Sequence, residues 1–130
     1  MRRVFCLGVF DLLHIGHISF LTEAREFGDC LTVGLVEDAA IQSHKGQSRP
    51  IIPFEERERI LDELRCVDKI IVLNDFIVPV HIIETYDVIV AGEDQTHIKN
   101  LQDIPHNKRV LIYRYPHQST SAIIKKIQCS

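Results

Sequence analysis

Short apolar runs alternate with polar segments of helical period from one end of the chain to the other. Runs rich in Val, Ile and Leu recur at "RVFCLGVF", "CLTVGLV", "KIIVL", "DVIVAG" and "RVLIYR". Each has the length of a strand buried on both faces. Between them Phe20, Leu21, Ala24 and Phe27 recur at helical spacing with Gly28 as a stop. Pro53, followed by Glu55 and Glu56, opens a second helix through Leu64, because proline suits a first turn and acidic residues suit the positive end of a helix. A third, weaker helical segment surrounds Val80 to Glu84. In "STSAIIKKI" Ser and Thr stand where a helix needs an N-cap, and Lys125 and Lys126 fall in the last turn. "SHKGQSRPIIP" reads as a mobile basic loop.

Strand alternating with helix over the whole length predicts one doubly wound α/β domain, residues 1–130, with a five-stranded parallel sheet and helices on both faces joined by right-handed crossovers. Ligands of such sheets sit beyond the carboxyl ends of the strands. The informative positions are therefore Gly8 to His17, Glu37 to Arg49, Gly92 to His97 and Arg114 to Ser121.

Composition narrows the field. A chain of 130 residues with 45% hydrophobic and 25% charged residues is ordinary for a soluble domain, and a net charge of -3 gives no general attraction for nucleic acid or anionic membrane. Any anion site is then local. The opening "MRRVFCLGVF" imitates a signal peptide, but Asp11, His14 and His17 interrupt it, and no apolar stretch approaches the roughly 20 residues that span a bilayer. Cys6, Cys30, Cys66 and Cys129 form no C-x-x-C pair, which fits reduced thiols and a cytoplasmic protein.

Chemistry concentrates after the first strand. His14 and His17 stand at i and i+3 in a first helical turn, on one face and at the positive end of the helix dipole, where two imidazole donors suit a polyanion. Gly8 lets the backbone approach a ligand, Asp11 places a carboxylate at the turn, and Gly16 removes a side chain that would crowd a phosphate. The competing reading of such a pair is structural, one histidine capping and the other packed in the core. A zinc site needs further ligands, and no other residues offer ligand spacing.

As a whole, "GVFDLLHIGH" resembles the G-x-F-D-x-x-H-x-G-H signature of the cytidylyltransferase-like nucleotidyltransferases, with Gly8, Phe10, Asp11, His14, Gly16 and His17 at the fixed positions. The resemblance implies a Rossmann-like fold in which His14 and His17 bind the triphosphate and stabilise the transition state, while Gly8, Val9, Phe10, Asp11 and Gly16 shape the nucleotide site. A second family signature, R-T-x-G-I-S-T-[TS], survives in "RYPHQSTS" as Arg114, Ser119, Thr120 and Ser121, whereas Tyr115, Pro116, His117 and Gln118 depart from it. Arg57 and Arg65, eight residues apart and within roughly 80° on a continuous helix, are by resemblance contacts to substrate phosphates. Gly92 and Asp94 in "AGED" match the family's G-[GDE]-D, Asp68 its "VD", and Lys45 in "HKG" a mobile lysine that reaches the triphosphate.

The implied reaction is attack of an acceptor phosphate oxygen on the α-phosphorus of a nucleoside triphosphate, with pyrophosphate leaving. Mg²⁺ would be held mainly by substrate phosphates and water. By resemblance, Arg114 ahead of the hydroxyl run is typical of the cytidylyltransferases for glycerol 3-phosphate and phosphocholine and implies CTP with a small phosphomonoester acceptor, and the bulk of Tyr115, Pro116 and His117 favours the smaller pyrimidine. "KGQSRPIIP" and "STSAIIKKIQ" resemble instead the adenylyltransferases that activate heptose 1-phosphate, and FMN adenylyltransferases share the first motif. A nucleotide-binding module without catalysis is the remaining class, against which the intact H-x-G-H and S-T-S speak. The resemblance also implies a homodimer, in keeping with the frequency of two-fold assemblies.

Overall fold

A computed structural model of the chain describes residues 1–92, 97–112 and 118–129. Five parallel strands, β1 (Arg3–Gly8), β2 (Cys30–Val36), β3 (Lys69–Leu73), β4 (Val88–Gly92) and β5 (Arg109–Ile112), stand in the order β3-β2-β1-β4-β5. The helices are α1 (Ile15–Arg25), α2 (Asp38–Lys45), α3 (Phe54–Asp62), α4 (Val80–Thr85) and α5 (Thr120–Gln128), with a 3₁₀ turn at Leu101–Asp103. The expected doubly wound sheet is present, with all five strands in their expected places.

The strand order reverses between β1 and β4, so the connections leaving these two neighbours diverge and open a crevice at the sheet's carboxyl edge. Alternation along β1 divides the core into two layers. Phe5 and Leu7 pack with Ile41 of α2, Ile82 of α4 and Phe76, while Val4 and Cys6 pack with Leu21 and Ala24 of α1 and Leu61 of α3. Only the central strands are covered on both faces. On the edge strands Val72 and Leu111 remain 56% and 57% exposed.

Two local expectations change. The segment read as a loop from Ser43 begins inside α2, whose single buried residue, Ile41, gives too faint an apolar period to read from sequence. α3 stops at Asp62, with Glu63 as its C-cap, before it reaches Arg65. The apolar run of β1 ends at Gly8 because Phe10 and Leu12 adopt positive φ angles of 50° and 48°, which no strand accommodates.

Candidate active site

Ahead of α1 the two motif histidines close a reciprocal capping arrangement. His14, extended at φ -140°, is the N-cap. Its Nδ1 accepts the Gly16 N–H at 3.0 Å, and His17 Nδ1 accepts the His14 N–H at 3.2 Å. The two histidines thus satisfy donors that a helix start leaves open, by the reciprocal logic of a capping box. The rings stack, with centroids 3.8 Å apart and planes 28° from parallel. Burial holds His14 below the usual histidine range. Burial foremost, then the neighbouring His14 and Lys45 charges, pulls His17 down to about 3. Both rings are neutral at pH 7. With each Nδ1 accepting, the proton sits on Nε2, so each neutral ring is an Nε2–H donor.

The surrounding motif residues hold this pair in place. Phe10 packs edge-on against His17 with centroids 5.4 Å apart, and is itself buried. A Cβ on Gly8 would lie 2.7 Å from the Phe10 ring, and one on Gly16 would lie 2.8 Å from His14 Cε1 and 3.2 Å from the Gln118 carbonyl. These glycines make room for the motif's own rings, beyond any role toward a ligand. Both Asp11 carboxylate oxygens accept backbone N–H groups, from Ile51 at 2.7 Å and Ile52 at 2.9 Å, which ties the first loop to the segment before α3.

The other expected elements converge on the same edge. Ser119 caps α5, its Oγ accepting the Ala122 N–H at 3.1 Å. The Thr120 hydroxyl donates to the Asp11 carbonyl at 2.8 Å and lies 3.3 Å from His14 Nε2, so it accepts the imidazole proton. The start of α5 is thereby locked onto the start of α1, and two helix N-termini meet at one place. A cleft of about 540 Å³ opens over them, lined by Gly8, Val9, Phe10, Asp11, Gly16, His14 and His17, by Ser119, Thr120 and Ser121, by Lys45 and by Gly92.

Arg57 and Arg65 do not reach this cleft. Arg57 is 1% exposed, and its guanidinium donates to the carbonyls of Ile52 (2.9 Å), Val9 (2.7 Å) and Val36 (3.0 Å) and to the Asp38 carboxylate (2.6 Å). It is a buried clamp on the loops after β1 and β2. Arg65 lies beyond the end of α3, in the turn that leads into β3, at the amino edge of the sheet. Eight residues of helix advance about 12 Å, so a helix that starts at the carboxyl edge carries its far end to the other side. The structure thus leaves both arginines of the expected phosphate-binding pair off the lining of this cleft. Asp68 is likewise structural, accepting the Leu31 N–H at 2.7 Å and pairing with Arg25 at 3.1 Å. Asp94 and Arg114, with Tyr115, Pro116 and His117, lie outside the described residues.

The motif reading passed over Arg49, Ser19, Phe20, His97, Ile112 and Gln118, which also line the cleft. Arg49 is the most telling, because its Nη2 donates to Ser121 Oγ at 3.1 Å and so spans from the segment after α2 to the first turn of α5. Its position in "KGQSRP", beside Lys45, was the available signal.

The sequence profile of the family described as cytidylyltransferase-like matches residues 5–129. The chain belongs to that family of nucleotidyltransferases. It is 40% identical over 130 residues to the bifunctional protein HldE of Syntrophotalea carbinolica, covering 95% of this chain and 26% of that protein. The HldE of Geobacter sulfurreducens is 47% identical over 97 residues, 73% of this chain and 20% of that protein. The chain thus spans about a quarter of the length of these relatives. A crystal structure of the lipopolysaccharide core biosynthesis protein from Thermoplasma volcanium superposes with a TM-score of 0.71 at 32% identity, covering 88% of this chain and 98% of that one. Among the described residues, no helix is long and apolar enough to cross a membrane.

Proposed function

We propose that this chain transfers an adenylyl group from ATP to a sugar phosphate such as heptose 1-phosphate, releasing pyrophosphate. The observation that carries the transfer reading is the meeting of the stacked His14 and His17 with the N-terminus of α5 in a cleft that also holds Lys45 and Arg49. A phosphate nucleophile is already an anion, so the site has to align two substrates and offset charge as it moves toward the leaving pyrophosphate. The neutral His17 ring, its Nδ1 fixed as an acceptor, offers its Nε2–H without reorganisation, and the lysine and arginine supply the opposing charge. The His14 Nε2–H rests on the Thr120 hydroxyl and has to exchange that partner for a phosphate oxygen.

The donor differs from the CTP expectation. "KGQSRPIIP" and "STSAIIKKIQ" resemble the heptose 1-phosphate adenylyltransferases, and the long matches to HldE proteins and to a lipopolysaccharide core biosynthesis protein support that alternative over glycerol 3-phosphate and CTP. Mg²⁺ would arrive on the triphosphate and offset its charge, as Mg²⁺ commonly does. Among the described residues no group of three or more His, Cys, Asp or Glu side chains is placed to cage a metal, and the Asp11 carboxylate in the cleft is already held by two backbone N–H groups.

Pyrophosphate release from ATP, CTP, GTP and UTP, each with heptose 1-phosphate, glycerol 3-phosphate and FMN, tests the proposal. ATP with heptose 1-phosphate is expected to give a kcat/KM at least tenfold above CTP with any acceptor, about 1.4 kcal/mol in transition-state binding. Preference for CTP with every acceptor returns the assignment to a cytidylyltransferase.

A further inference from the structure

A second pair of imidazoles meets beside the cleft, and one of them, His97, lines it. His44, one residue before Lys45 at the end of α2, and His97, beyond β4, have ring centroids 5.0 Å apart. Both pack on Phe76, beyond β3, His44 at 5.2 Å and His97 edge-on at 4.6 Å. Phe76 is 2% exposed and belongs to the core layer of Phe5, Leu7 and Ile41, whereas His17 packs on Phe10, a member of the opposite layer with Leu21 and Leu61. The two histidine pairs therefore flank the carboxyl edge of the sheet from opposite faces. His17, Lys45 and His97 line one cleft, together with the strand ends at Gly8 and Gly92.

Displacement at phosphorus sets the attacking and leaving oxygens roughly in line. With the leaving pyrophosphate held where α1 and α5 begin, the nucleophile has to enter from the far side. That is the side of His44 and His97. A phosphomonoester entering there needs N–H donors fixed in advance, and the buried ring of Phe76 holds both imidazoles against loss of position.

We infer that His97, positioned by His44 and Phe76, forms the acceptor subsite and binds the phosphate-bearing end of a phosphorylated sugar, with Lys45 between the two substrates. The inference rests on the nucleotidyl-transfer reading. In the step served, a bond forms from an acceptor phosphate oxygen to the α-phosphorus, the bond from the α-phosphorus to the bridging oxygen of the β-phosphate breaks, and pyrophosphate departs with that electron pair. A dianionic acceptor requires no proton transfer.

The test compares His97→Ala, His97→Gln and His44→Ala with the parent chain, using ATP and heptose 1-phosphate. The expected result is at least a tenfold rise in KM for the sugar phosphate in the alanine variants, partial recovery with glutamine, and an ATP affinity within twofold of the parent by calorimetry without acceptor. An unchanged acceptor KM in an active enzyme overturns the inference while leaving the transfer reading intact. The imidazole NMR signal of His97 in the parent chain, titrated with heptose 1-phosphate in the presence of ATP, separates the two failures. A saturable shift without turnover upholds the subsite against the reaction, and no shift overturns it.

Discussion

His14 and His17 stack with their centroids 3.8 Å apart, and each ring accepts a backbone N–H of the same helix start through Nδ1. Packing and capping together therefore fix the tautomer of both. In the neutral rings the proton is left to Nε2, because the backbone partners occupy Nδ1.

Removing either ring is expected to lower turnover at least 10²-fold, the scale of one lost transition-state donor. His14→Ala also removes an N-cap contact and should cost about 1 kcal/mol of stability. Steady-state rates measured well below the melting temperature of each variant isolate the catalytic loss. Near-normal kcat in both would refute the role given to the pair.

His17 predicts an acid-sensitive fold. Its folded value near 3 lies below the unfolded value of 6.5, so the folded state resists a proton that the unfolded chain accepts. The associated stability is complete above pH 6.5 and declines as pH falls toward 3, by about 1.4 kcal/mol per pH unit. Urea unfolding at stepped pH should show a shallower decline between 6.5 and 4 in His17→Asn than in the parent chain. Parallel curves would mean that the ring protonates freely in the fold.

Arg57 and Arg65 should behave differently despite their shared helical register. Arg57→Ala leaves three carbonyls and the Asp38 carboxylate without their donor, and is expected to cost about 3 kcal/mol. Arg65→Ala, at the far edge of the sheet, should leave stability and the KM for triphosphate within a factor of two. A large rise in that KM for Arg65→Ala would restore the phosphate contact expected from the sequence.

Arg49 takes the place in the cleft that the helical pair does not. Arg49→Ala should raise the KM for ATP about tenfold with little change in unfolding midpoint, since among the described residues its hydrogen bond goes to the exposed Ser121 hydroxyl. Arg49→Lys should recover part of the loss, because charge survives and the planar fork does not. Unchanged kinetics would assign Arg49 to bridging α5 alone.

Sequence by itself determined the strand succession, the doubly wound class and the first motif. Each rests on local rules: apolar runs of strand length, helix-start residues such as Pro53, Glu55 and Glu56, and the close spacing of Gly8, Phe10, Asp11, His14, Gly16 and His17. α2 escaped because one buried isoleucine leaves almost no period. Tertiary structure decided the rest. Whether Arg57 meets a ligand or three carbonyls depends on loops after two different strands, and Arg65 is removed from the site by where α3 ends. Arg49 touches Ser121 across 72 positions, and His44 meets His97 only because α2 and the segment after β4 lean on the same buried Phe76. Such contacts have no period in the chain, since the sheet order β3-β2-β1-β4-β5 brings together residues that the sequence holds apart.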